Sequence, residues 1–145
     1  MTTASKTPGQ IVRTLKDGLP ILWTYVPEMP SEIERNVAPW LAVVSWVYDG
    51  SDNNGMPDSE GNAEMQRLDG VLGQIERPSF CFEAYRRVGS GLREFVFYIA
   101  DRDQFLVELN AHLASHPRYP LEIKFYEDES WSDFRRLIDD LSEPP

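Results

Sequence analysis

A chain of 145 residues with 41% hydrophobic and 12% aromatic content can bury one core, and a single domain over residues 1–145 is expected. Its formal net charge of -10 at pH 7 opposes nucleic acid phosphates and anionic membrane surfaces. One cysteine, Cys81, excludes an intramolecular disulfide framework and a cysteine-based zinc cage. The charge is unevenly placed. Lys6, Arg13, Lys16 and Arg35 balance Asp17, Glu28, Glu32 and Glu34, so the whole excess lies from Asp49 onward. No apolar run suits a helical membrane span and no signal-peptide pattern opens the chain, so a cytoplasmic location is expected.

Residues 1–18 are small, polar and slightly basic, and a flexible N-terminal segment is expected there. Leu19 to Val26 reads as a strand, with Pro20 marking its start or a sheet edge. Pro27 and Pro30 stop it, and residues 31–39 form a connector with room for a helical turn. Trp40 to Tyr48 is a strong strand. Leu41, Val43, Ser45 and Val47 line one face, and Trp40, Ala42, Val44, Trp46 and Tyr48 the other. Turn formers fill residues 49–59, after which Met65, Leu68, Val71, Leu72 and Ile75 recur at helical spacing from Glu60 to Glu76. Gly70 and Gly73 weaken that helix by about 1 kcal/mol each relative to Ala.

Ser79 to Ala100 carries the clearest signal, a hairpin whose runs of aromatic and β-branched residues flank Val88-Gly89-Ser90-Gly91. A Gly89-Ser90 loop predicts Phe80 opposite Ile99, Phe82 opposite Phe97, Ala84 opposite Phe95 and Arg86 opposite Arg93. The two arginines suit a tip projecting into water, or a carboxylate held between them. Asp101, with Gln104 three residues on, predicts a capping box for a helix bearing Phe105, Leu106, Leu109, His112 and Leu113. Leu121 to Asp128 alternates as a strand with Leu121, Ile123 and Phe125 inward. A final helix from about Ser130 to Leu141 presents Trp131, Phe134, Leu137, Ile138 and Leu141 on one side.

From Trp40 the order is strand, helix, strand, strand, helix, strand. It predicts an α+β fold, a ferredoxin-like split βαβ sandwich whose helices lie mainly on one face of an antiparallel sheet. An extra N-terminal strand and a C-terminal helix are additions, and one of them covers part of the open face.

Few residues suggest chemistry. Asp49, Ser51, Asn53 and Glu60 occupy calcium-loop positions, but Asn54 stands where the sharp turn wants Gly and Pro57 intrudes. A solvated loop leading into a helix is the simpler reading. His112 and His116 are four apart but lack the glutamate of a His-Glu-x-x-His site, so a packed histidine and a helix-end cap are expected. No nucleophile elbow or phosphate-binding glycine loop is present, and no catalytic residue, metal or cofactor is assigned. The acidic cluster is the better lead. Glu127, Asp128, Glu129, Asp133, Asp139, Asp140 and Glu143 surround Trp131, and acids around an exposed aromatic suit a Lys/Arg-rich protein.

Val44-Ser45-Trp46-Val47-Tyr48, Asn54-Gly55-Met56-Pro57, Gly91-Leu92-Arg93-Glu94 with Phe97-Tyr98, Tyr119-Pro120-Leu121, and Asp128 with Trp131 together resemble the bacterial domain-of-unknown-function family 695. The match spans about residues 40–135. The resemblance implies no reaction and carries over no catalytic residue. It implies a partner module, sometimes associated with domains resembling the acidic protein inhibitor of ribonuclease E.

The expectation is therefore a non-catalytic acidic binding module, an inhibitor or immunity protein that masks a basic nuclease or toxin domain. Asp128, Glu129, Trp131, Asp133, Asp139 and Asp140 form its expected contact face. The partner is a basic protein, not nucleic acid or membrane, and the chain itself is a monomer or homodimer. The alternatives are a small enzyme with a site near the 49–60 loop and hairpin tip, and a self-associating housekeeping module.

Overall fold

The computed structural model describes residues 9–142. The strands are β1 (Gln10–Lys16), β2 (Leu19–Tyr25), β3 (Trp40–Val47), β4 (Cys81–Gly89), β5 (Leu92–Ile99) and β6 (Leu121–Glu127). The helices are α1 (Glu32–Asn36), α2 (Ser59–Ile75), α3 (Arg102–Leu113) and α4 (Ser132–Ser142). The strands form one sheet in the order β1-β2-β4-β5-β3-β6, with every neighbouring pair antiparallel. The fold is α+β, and among the described residues it is an open six-stranded antiparallel sheet with four helices.

The two faces of β3 dictate two cores. Ala42, Val44 and Trp46 meet Met65, Leu68, Leu72 and Ile75 of α2 and Phe105 and Leu109 of α3, while Phe95, Phe97 and Ile99 of β5 complete this layer. Leu41 and Val43 face the other way, toward Trp131, Phe134 and Ile138 beneath α4. The C-terminal helix thus covers the face that α2 and α3 leave open.

Two expectations need correction. Of the predicted flexible segment, residues 1–8 lie outside the described residues, but Gln10–Lys16 form an edge strand, so two strands rather than one precede β3. The cause is Asp17-Gly18, whose φ values of 53° and 80° build a two-residue hairpin loop between β1 and β2. In the second hairpin the loop is Ser90-Gly91, with φ values of 51° and 75°, not Gly89-Ser90. Gly89 belongs to the strand and is needed for a different reason: a Cβ there would lie 2.5 Å from the Pro20 carbonyl oxygen of β2. The register is displaced accordingly, so that Gly89 faces Leu92 and Val88 faces Arg93. A bulge between Glu83 and Tyr85 shifts it again, placing Cys81 opposite Ile99 and Phe82 opposite Tyr98. Phe82 therefore packs under α4 while Phe97 packs under α3, and the predicted pairing of the two on one face is overturned.

The hairpin tip does not stand free in water. The Gly91 amide donates to the Gly55 carbonyl at 2.9 Å and the Tyr48 hydroxyl donates to the same oxygen at 2.6 Å, which seats the 50–55 loop on the turn. α2 starts at Asp58, whose carboxylate accepts from the Gly61 amide. Asp101 caps α3 by accepting from the Gln104 amide, but the Gln104 side chain turns to Glu108, so the capping box is half made.

Candidate functional site

The predicted contact residues divide. Trp131 is 1% exposed, so it is no surface anchor. Its ring stacks on Tyr98 with centroids 3.9 Å apart, and its indole donates to the Ala38 carbonyl at 2.9 Å. The signal was in the sequence: Trp131 shares the apolar stripe of Phe134 and Ile138, and a stripe at that spacing faces a core. Asp128 is turned inward for a structural task. Its carboxylate accepts from the amides of Ser132 and Asp133 at the start of α4 and from the Tyr98 hydroxyl at 2.6 Å. Burial raises the carboxyl's pKa, but the hydrogen bonds led by Tyr98 outweigh it and hold the group below its ordinary value. Glu129, Asp139 and Asp140 are exposed, Asp133 is half-buried, and Glu143 lies outside the described residues.

Asp133 is the predicted residue that the fold brings into a site. Beside the start of α4 the sheet is not fully covered, leaving a hollow of about 360 Å³ floored by Leu41, Val43 and Val96. Its walls are Tyr85, Tyr126, Glu94 and Asp133. The Tyr85 hydroxyl donates to Asp133 at 2.9 Å, and Arg136, on the exposed side of α4, donates to the other Asp133 oxygen at 3.3 Å. Glu94 is the carboxylate that sequence reasoning missed. Arg87 lies opposite it across the hairpin but directs its guanidinium to the Gly89 carbonyl and over the Trp23 ring. Burial raises the Glu94 pKa, Arg87 lowers it in part, and Asp133 raises it again. The hollow thus holds two carboxylates, with the Asp133 charge disfavouring that of Glu94, between two tyrosines whose ring faces attract cations. A Lys or Arg side chain placed there would pair with Glu94 beside the Asp133 carboxylate, which Tyr85 and Arg136 already hold.

The other places with a chemical reading are internally committed. Arg86 and Arg93 both reach Asp69 of α2, Arg93 at 3.5 Å, and Arg86 also meets Glu83 at 3.5 Å. The carboxylate held between the two arginines is therefore Asp69. In the 49–60 loop the Asp49 carboxylate accepts from the amide and hydroxyl of Ser51 at 3.0 and 2.7 Å. His112 contacts the Glu108 carbonyl and His116 the Tyr119 hydroxyl, so each ring has its own partner. Cys81 is buried, and burial raises its thiol pKa. Among the described residues no cluster of three metal-ligating side chains occurs, and no helix is long and apolar enough to cross a membrane.

Fold and surface together define an α+β protein with an antiparallel sheet, one face of which keeps an acidic, tyrosine-walled hollow. The chain belongs to DUF695, a family of unknown function that matches it over residues 10–138. No curated protein and no solved structure matches it.

Proposed function

We propose that the protein is a non-catalytic acidic binding module that masks a basic protein in the cytoplasm, in the manner of an inhibitor or immunity protein acting on a nuclease or toxin domain. The observation that carries the reading is the hollow beside α4, where Glu94 and Asp133 flank Tyr85 and Tyr126: Asp133 is paired with Arg136, but among the described residues no cation is directed at Glu94. A partner's Lys or Arg would enter between the tyrosines and relieve the repulsion of the two carboxylates. Glu129, Asp139 and Asp140 would form a solvated acidic rim that speeds encounter without contributing much to lifetime. The net charge of -10 favours the same class of partner. The strand order β4-β5-β3-β6, with α2 and α3 packed on one face, supports reading the central part as a ferredoxin-like split βαβ sandwich extended by β1, β2 and α4.

The test is calorimetric titration with a Lys/Arg-rich peptide and its glutamate counterpart at two salt concentrations. The basic peptide is expected to bind saturably and more weakly at high salt, and Glu94→Gln to lose about tenfold in affinity. Equal binding of the acidic peptide, or affinity indifferent to salt, removes the reading.

A further inference from the structure

A second surface lies where β2 leaves the sheet. After Tyr25 the chain turns away at Pro27, so the first residues of β4 have no β2 neighbour. The chain just after α2 takes that place in part: Arg77 bridges to Cys81, and the Glu76 carboxylate accepts the Glu83 amide at 2.9 Å. Between this stretch and the 26–38 segment run two hollows of about 440 and 490 Å³ that share Glu34, Glu76 and Phe82 and so form one groove. Its floor includes Phe80 and Phe82. The 26–38 wall keeps large apolar side chains in water: Val26, Ile33 and Val37 are 38%, 79% and 42% exposed. Glu28, Glu34, Glu76 and Glu83 stand around this apolar surface. Among the described residues the one cation lining it, Arg77, is already stacked on Phe80 and paired with Glu108.

We infer that this groove docks a segment of a partner protein in which apolar side chains alternate with Lys or Arg. The apolar side chains would rest on Phe80, Phe82 and Val37, and the cations would meet Glu28, Glu34 and Glu76. Charge complementarity selects this occupant over an acidic or purely apolar one, because among the described residues Glu28, Glu34 and Glu76 line the groove without an ion pair, Glu83 is already met by Arg86, and the lining arginine is committed elsewhere. The state of Glu83 agrees. Burial raises its carboxyl to a pKa of about 7; Arg86 opposes this, Glu76 and Asp69 add to it, and Arg93 opposes it weakly. An arriving cation would draw that proton off.

The inference rests on the reading that the chain binds a basic protein, and the experiment separates the two. The probe is a short fluorescent peptide alternating lysine and leucine, compared with one alternating lysine and serine. The triple variant Glu28→Gln, Glu34→Gln, Glu76→Gln removes the charge and leaves each side chain one amide oxygen to accept the bonds that Glu34 takes from Ser31 and Glu76 from the Glu83 amide. It is expected to bind the lysine–leucine peptide at least about tenfold more weakly than wild type. Ile33→Ser with Val37→Ser, both at exposed positions, is expected to erase the preference for leucine over serine while leaving the thermal melt unchanged. Wild-type affinity in the triple variant, with loss in Glu94→Gln instead, overturns the groove and leaves the basic-partner reading standing. No saturable binding of either basic peptide by any form overturns both.

Discussion

The two sides of the sheet are built by different means. Under α2 and α3 the layer is packed by apolar contact, with Met65, Leu68, Leu72, Ile75, Phe97 and Phe105 almost wholly buried. Under α4 the layer is aromatic and pinned by polar handles: Trp131 to Ala38, Tyr98 to Asp128, the Phe134 amide to the Tyr98 hydroxyl, and Tyr85 to Asp133. The first arrangement tolerates conservative repacking and hides little chemistry. The second fixes one orientation of a short helix and leaves carboxylates and tyrosine rings at its margin. A layer held by directional bonds can stay partly open, and the acidic, tyrosine-walled hollow lies at its margin.

The largest effects should come from emptying either layer. Trp131→Ala and Phe105→Ala are each expected to cost about 3–5 kcal/mol in urea unfolding. A loss under 1 kcal/mol for Trp131→Ala would mean α4 is not part of the cooperative unit. Next comes pH, where the two layers should oppose each other. The Glu83 carboxyl on the α2 side sits at about 7 against an ordinary 4.5. The folded chain then holds the proton more tightly than the unfolded chain. Stability falls as pH rises from 4.5 to about 7, by on the order of 3 kcal/mol in total. Glu83→Gln should flatten the melting temperature across that window. Asp128, held below its ordinary 3.8, works the other way: its contribution is complete above pH 3.8 and is lost as acid takes the pH through the folded-state value. Asp128→Asn should remove that acid-limb loss in melts recorded between pH 2 and 4.

Smaller still is Tyr98→Phe, which keeps the ring stacked on Trp131 but strips the hydroxyl from Asp128 and the Phe134 amide. We expect a loss of about 1–3 kcal/mol by chemical denaturation. A neutral result would show the α4 layer to be held by ring packing alone, erasing the contrast. Glu129→Gln and Asp139→Asn should change stability by less than about 0.5 kcal/mol while slowing association with a basic peptide in stopped-flow mixing.

Much of the fold was legible because single segments carried their own evidence. The two faces of Trp40 to Tyr48, the stripe of α2, the Asp101 cap and the alternation of β6 each needed only local periodicity. β1 was missed: Asp17-Gly18 marks its turn, but the small, polar composition of the segment reads as a frayed terminus and hid it. The hairpin register was not readable, because it depends on Pro20 and Ile21 pressing against Gly89 from a strand distant in sequence. The site was half legible. Asp133 came from its acidic neighbourhood, whereas Glu94, Tyr85 and Tyr126 come from three different strands and meet only after the sheet forms.

The irregularity at Ala84 has a consequence for how this chain can change. One extra residue in the fourth strand, Ala84, lets Phe82 before it and Tyr85 after it face the same α4 layer although they stand three positions apart. Losing Ala84 would restore plain alternation, with Phe82 still opposite Tyr98 and Tyr85 still opposite Val96, and would leave both Trp131 and Ser90-Gly91 undisturbed. Length at that point behaves like slack: the strand can shed one residue there with every side chain keeping its side, whereas a residue removed where the ladder is regular would need a compensating shift or would turn the side chains beyond it to the other face.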